Sequence, residues 1–207
     1  PLSMNQRKHP RMNSRLILLT LVAAASATLA HAQTFCSVRE PNRVIHEMFP
    51  DSTGFRTDIL EITRENAVKL PADLPFVFDR REITRHPLHV VVRRGEIIGY
   101  VQARTQATRW GLTEFVWALD ARFNLLDFRV QRSREPGAAE LGSSKLGASL
   151  RGLSLPDVRR RWSQAWIEEL QARSGLPAED RQLVEAAVSA GAKTIWLATE
   201  IWQLPAR

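Results

Sequence analysis

The chain predicts an α+β fold in which an antiparallel β-sheet meander is packed by N- and C-terminal helices. Three observations carry that prediction. Two hairpin patterns follow one another in the centre, "LHVVVRRGEIIGYVQARTQ" and "GLTEFVWALDARFNLLDFRVQR". Apolar residues recur at helical spacing on both flanks. The composition, 44% hydrophobic and 25% charged over 207 residues, suits one core of respectable size rather than two.

Residues 1–32 stand apart and read as an export signal. Arg7, Lys8, Arg11 and Arg15 form a basic leader, an uncharged run extends from Leu16 to Ala30, and Ala30-His31-Ala32 places small residues where a signal peptidase cuts. Cleavage after Ala32 is expected, a retained anchor helix being the alternative. Cys36 is a lone thiol: Gln33-Thr34-Phe35 is not the small-residue approach of a lipoprotein signal, and one cysteine makes no internal disulfide. The leader holds four of the 29 basic residues and none of the 22 acidic ones, so residues 33–207 carry a formal +3. That balance, and the position of Arg159-Arg160-Arg161 on a predicted helix, speak against nucleic acid as a partner.

The elements then follow in order. Residues 38–49 carry Val44, Ile45, Met48 and Phe49 at helical spacing, and Pro50 stops the run. A strand is expected over 55–62, and Thr63 caps a short helix over 64–70, ended by Pro71. The first central hairpin turns at Arg94-Gly95 and the second between Asp120 and Asn124, which makes four consecutive strands with one face open to helices. Residues 133–155, with glycines at 137, 142, 147 and 152, read as a Gly/Ser-rich loop. One helix is expected from Pro156 to Arg173, closed by Gly175 and Pro177, and a second from Ala178 to Gln203. Residues 33–207 thus make a single domain.

This series resembles the FMN-binding domain of the peripheral flavin subunits of sodium-pumping quinone reductases and their ferredoxin-linked relatives. The matching features are a helix ending in "MFPDSTGF", the hairpin with Gly95, Gly99 and Tyr100, a strand ending at Asp120 with Leu125 beyond it, and the Glu135-Pro136-Gly137 loop. The resemblance spans roughly residues 38–140 and rests on order, since no single feature is specific. It implies FMN beside the sheet, an extracytoplasmic location with membrane association, and a partner that is a membrane redox complex or another exported subunit. The protein would supply placement and electrostatics while the flavin does the chemistry.

In that family an acidic residue precedes an "S-G-A-T" motif whose threonine can carry the flavin. The nearest stretch here is Glu185 followed by Ser189-Ala190-Gly191-Ala192-Lys193-Thr194. Ala190 separates Ser189 from Gly191, Lys193 takes the threonine's place, and Thr194 comes one residue late, rotated about 100° around a helix axis. The resemblance therefore assigns Ser189, Gly191, Lys193 and Thr194 to the cofactor, with Trp110, Glu135 and Gly137 as further candidates. The departures imply FMN held without a covalent bond, or lost.

Periodicity gives the same stretch a helical reading. Leu183, Ala187, Ala190, Thr194, Leu197 and Ile201 form one apolar row, and Val184, Val188, Gly191, Ile195, Ala198 and Trp202 form another beside it. Thr194 then faces the core, and Lys193 lies with Glu185, Ser189 and Glu200 on the side toward water or a partner. A phosphate-binding P-loop is excluded because Ala187 and Ala192 stand where its glycines belong and no strand precedes.

No catalytic constellation emerges. Serine nucleophile motifs are absent, and Glu61, Glu65, Glu82 and Glu114 read as salt-bridge partners of the many arginines. His46, His86 and His89 lack the ligands of a metal site and read as surface or half-buried residues. Among the tryptophans, Trp162 and Trp166 share a helical face with Leu170, and Trp110, ahead of Gly111, reads as core rather than as a stacking platform. Two roles follow: an accessory or electron-transfer module of a membrane-associated redox system, or a flavin-free binding or structural subunit of a periplasmic assembly.

Overall fold

A computed structural model describes residues 42–65, 76 and 78–204, all within one compact unit, Thr34–Arg207. The leader, Cys36, the start of the first expected helix and most of the helix expected over 64–70 lie outside the described residues. Five strands form one antiparallel sheet in sequence order: β1 (Gly54–Glu61), β2 (Arg85–Arg93), β3 (Glu96–Thr108), β4 (Gly111–Asp120) and β5 (Leu125–Arg132). The expected meander is present.

Turn chemistry sets its register. Arg94 and Gly95 both have positive φ, 52° and 87°, the pairing a tight two-residue hairpin requires, and Thr53 Oγ1 accepts from the Arg94 amide at 3.0 Å. Beyond the turn, Val91 pairs with Gly99 and Val92 with Ile97, so Ile98 bulges out of the ladder. Gly99 is required by contact: a Cβ there would lie 2.5 Å from the Phe49 ring. At the second hairpin, Asp120 Oδ1 accepts from the amides of Arg122 and Asn124 at 2.8 and 2.9 Å.

Helices cover both faces. On the outer face α1 (Asn42–Met48) places Val44 and Ile45, with Phe49 beyond its end, on Val91, Val101, Ala103, Val116 and Ala118. The inner face receives the chain after β5: α2 (Ala138–Ser143), α3 (Leu146–Leu150), α4 (Leu155–Arg161), α5 (Gln164–Ser174), α6 (Arg181–Trp196) and a π-helical turn at Leu197–Ile201. Trp117 anchors this layer, stacking on Phe128 at 4.9 Å and donating from Nε1 to the Ala187 carbonyl at 3.0 Å.

Two helical expectations need correction. Residues 133–155 are not an irregular loop, because Leu141, Leu146 and Leu150 are fully buried against the inner core and draw α2 and α3 onto β5. Gly147 permits that approach, since a Cβ there would lie 2.7 Å from Asp127 Oδ1. The helix expected from Pro156 to Arg173 is two helices. Ser163 leaves the helical region at φ −157° and its Oγ accepts from the Trp166 amide at 3.1 Å, starting α5 afresh. The last expected helix is present as a 3₁₀ turn at Ala178–Asp180, then α6 and the π-helical turn. No helix among the described residues is long and apolar enough to cross a membrane.

Candidate functional site

Ser189–Thr194 lies in the middle of α6, the central helix of the inner layer. From Ala186 to Ala198 every residue of this segment is buried except the half-buried Ser189. Thr194 is wholly buried, as its row predicts, and its hydroxyl donates to the Ala190 carbonyl at 2.9 Å, one turn back. Gly191 rests against Trp117, where a Cβ would come within 2.8 Å of the indole. Small residues here serve close packing of helix on sheet.

Lys193 corrects the periodic reading most sharply. Expected toward water or a partner, it is only 3% exposed. Its ammonium donates to Glu82 Oε2 at 2.7 Å and to Gln106 Oε1 at 3.1 Å. Of the side of α6 expected to be wet, Glu185 and Glu200 are exposed and Ser189 is half-buried, whereas Lys193 is covered by Phe78 and by the 3₁₀ turn Arg80–Glu82, which precede β2.

Glu82 is held rigidly. It is the N3 residue of a capping box: Asp79 Oδ1 accepts from the Arg81 amide at 2.8 Å while Glu82 Oε2 accepts from the Asp79 amide at 2.8 Å. Its Oε1 accepts from Arg104 Nη2, so one carboxylate is shared by two cations. Burial pushes the Glu82 carboxyl up, but Arg104 and Lys193 together hold it below its usual value. Burial pulls the Lys193 ammonium below its usual value, with Arg104 adding to the effect and Glu82 opposing it.

Arg104 belongs to a buried polar row on β3. Gln102, Arg104 and Gln106 alternate with Val101, Ala103 and Thr105 and point at the α6 layer, and both sets are buried. Arg104 Nη1 donates to Gln102 Oε1 at 3.4 Å. On neighbouring β2, His86 Nε2 donates to the Glu82 carbonyl at 2.7 Å, and burial lowers its pKa to about 4, so its imidazole is neutral. Phe78 sits among these groups, with Lys193 Nζ 5.1 Å and the Arg104 guanidinium carbon 5.5 Å from its centroid.

Sequence reasoning missed this cluster except for Glu82 as a partner of arginine. One signal was present. Lys193 is the lone charge between Glu185 and Glu200, in a stretch otherwise of small and apolar residues, with Ser189 and Leu197 at i−4 and i+4 offering no counter-charge. A lysine so placed finds its partner elsewhere in the fold.

The remaining candidates gather at another place. Trp110 is 57% exposed, not core, because Arg109-Trp110 is the turn of the β3–β4 hairpin. The Arg109 guanidinium lies 5.9 Å from its ring centroid. Glu135 is buried and its Oε1 accepts from the Trp110 amide at 2.6 Å, while Gly137 packs against Asp180 with no room for a side chain. Glu135 therefore braces the hairpin while Gly137 packs on Asp180 and Leu176, and neither is brought to Ser189–Thr194.

The histidines also sit deeper than expected. His86 and His89 are both buried, on opposite faces of β2, where Trp202 and the Glu82 carbonyl lie against His86 and Phe55 lies against His89. His89 Nδ1 bonds to Thr57 Oγ1 at 2.9 Å.

The α6 segment does not fit a flavin attached through a phosphoester. The Thr194 hydroxyl has no exposed path, Gly191 is closed by Trp117, and Lys193 is engaged by Glu82. Set against models of known protein families and against curated proteins, the chain matches none.

Proposed function

We propose that this chain is a flavin-free α+β domain acting as a binding or structural subunit of an exported assembly. One observation carries the reading. The segment that the resemblance assigns to the cofactor is interior helix, with Lys193 and Thr194 each committed to an internal partner. A residue spent on core packing is not free to hold a ligand. The export part of the proposal rests on the leader pattern in residues 1–32.

A visible spectrum of the chain purified from an oxidising compartment tests this. No flavin absorption, even after reconstitution with FMN, is the expected result. Absorption that survives denaturation would establish a covalent flavin, and absorption released on denaturation a loosely held one; either overturns the proposal. Migration of the native chain as a lone monomer in detergent-free envelope extracts would overturn its role as a subunit. The electron-transfer reading keeps one favourable feature, the exposed indole of Trp110 on its braced hairpin, which offers a flat ring for stacking.

A further inference from the structure

The cluster around Phe78 has an unbalanced charge. Arg104 and Lys193 bring two cations to one carboxylate, Glu82, and among the described residues the other titratable groups facing it do not redress the difference. Asp79 is engaged with Arg81 at 2.8 Å near the surface, and His86 is neutral. The excess is one positive charge. Leaving such a charge buried without a counter-ion is strongly unfavourable.

The buried side-chain atoms of the same cluster that lack any hydrogen-bond partner are all donors. Gln102 Nε2, Arg104 Nε and Trp196 Nε1 are buried without a hydrogen-bond partner. Phe78 links their residues: Gln102 bonds Arg104, and Trp196 packs on Phe78 at 5.2 Å, the ring that also borders Arg104 and Lys193. Each of the three residues is at most 2% exposed. A buried water needs acceptors for its own protons as well as donors. A donor-only set in a positive environment calls for an anion.

We propose that Gln102 Nε2, Arg104 Nε and Trp196 Nε1 donate to a small monovalent anion of the halide class in a buried site, with Lys193, itself bonded to Glu82 and Gln106, supplying the excess charge and no bond to the ion. A single negative charge matches the excess, and a chloride-sized ion accepts from several N–H donors without presenting protons of its own. A phosphate or other multiply charged anion would overcompensate the site. The inference does not depend on the absence of flavin, and its test reads neither flavin nor partner.

Thermal unfolding of the purified full chain, with chloride replacing gluconate at constant ionic strength and pH, gives the primary readout. Once chloride exceeds its Kd, Tm is expected to rise by about 3–5 °C per tenfold increase. Lys193→Met removes the excess charge and is expected to abolish the chloride dependence. Gln102→Leu keeps that charge but removes one donor, so the midpoint should move several-fold higher in chloride; it serves if Lys193→Met does not fold. Crystals grown in bromide should show an anomalous peak within bonding reach of Arg104 Nε and Gln102 Nε2. A Tm flat in chloride, a dependence unchanged in the folded variants, or no bromide peak at these atoms would overturn the proposal.

Discussion

Lys193 Nζ and Glu82 Oε2 lie 2.7 Å apart in the interior although 111 positions separate them in the chain. The contact ties the central helix to the turn that precedes β2, and Arg104 on β3 reaches the same carboxylate. Three separate parts of the chain thus meet in one buried ion cluster.

Removing the carboxylate should be far more harmful than removing the lysine. Glu82→Gln leaves two buried cations facing each other and is expected to cost roughly 3–5 kcal/mol in urea unfolding. Lys193→Met keeps the Glu82–Arg104 pair, replaces the ammonium by a side chain of similar volume, and should change stability by no more than about 1 kcal/mol. Equal costs for the two variants would contradict the shared-carboxylate arrangement.

His86 makes stability depend on acid. Its folded pKa, about 4, lies below the ordinary 6.5, so between those values the unfolded chain binds more protons than the folded one. Its contribution is complete above pH 6.5 and is lost as pH falls toward 4, by about 3 kcal/mol at most. Unfolding free energies measured from pH 7.5 to 4 should show that decline, and His86→Gln should flatten it.

Gly191→Val drives a branched side chain into the Trp117 indole, where even a Cβ comes within 2.8 Å. Overpacking of this kind costs roughly 1–3 kcal/mol, and a branched residue in this closed position belongs at the upper end. Denaturant midpoints for Gly191→Val and the parent chain provide the comparison. A neutral result would mean that α6 is free to shift away from the sheet.

Trp110→Ala should leave stability within about 0.5 kcal/mol, since the ring is 57% exposed. Glu135→Ala should cost about 1–3 kcal/mol, because the Trp110 amide loses its acceptor. Chemical unfolding of both variants separates an exposed ring from the bracing beneath it.

The sheet was legible because its determinants are local. The Arg94-Gly95 turn, the Asp120 side-chain bonds and the alternating runs between them act over a few residues, and the structure has the hairpins they predict. Of the missed features one was local and masked, and the other depended on distant contacts. The break at Ser163 is set by its own side chain capping the Trp166 amide, and the apolar spacing that runs on across it masks the break. Leu141, Leu146 and Leu150 sit among glycines and serines that suggest a loop, and become helical where β5 offers them a surface.

Sequence alone determined which residues of α6 share a side, and which residues of β3 alternate. It did not determine which of those sides meets water. Periodicity sorts residues by direction, whereas burial depends on what packs in that direction, and here the covering groups arrive from other parts of the chain. Lys193 and the polar row of Gln102, Arg104 and Gln106 are interior because the fold brings Glu82 and Phe78 over them, supplying the counter-charge and the apolar cover that a solvated face would lack.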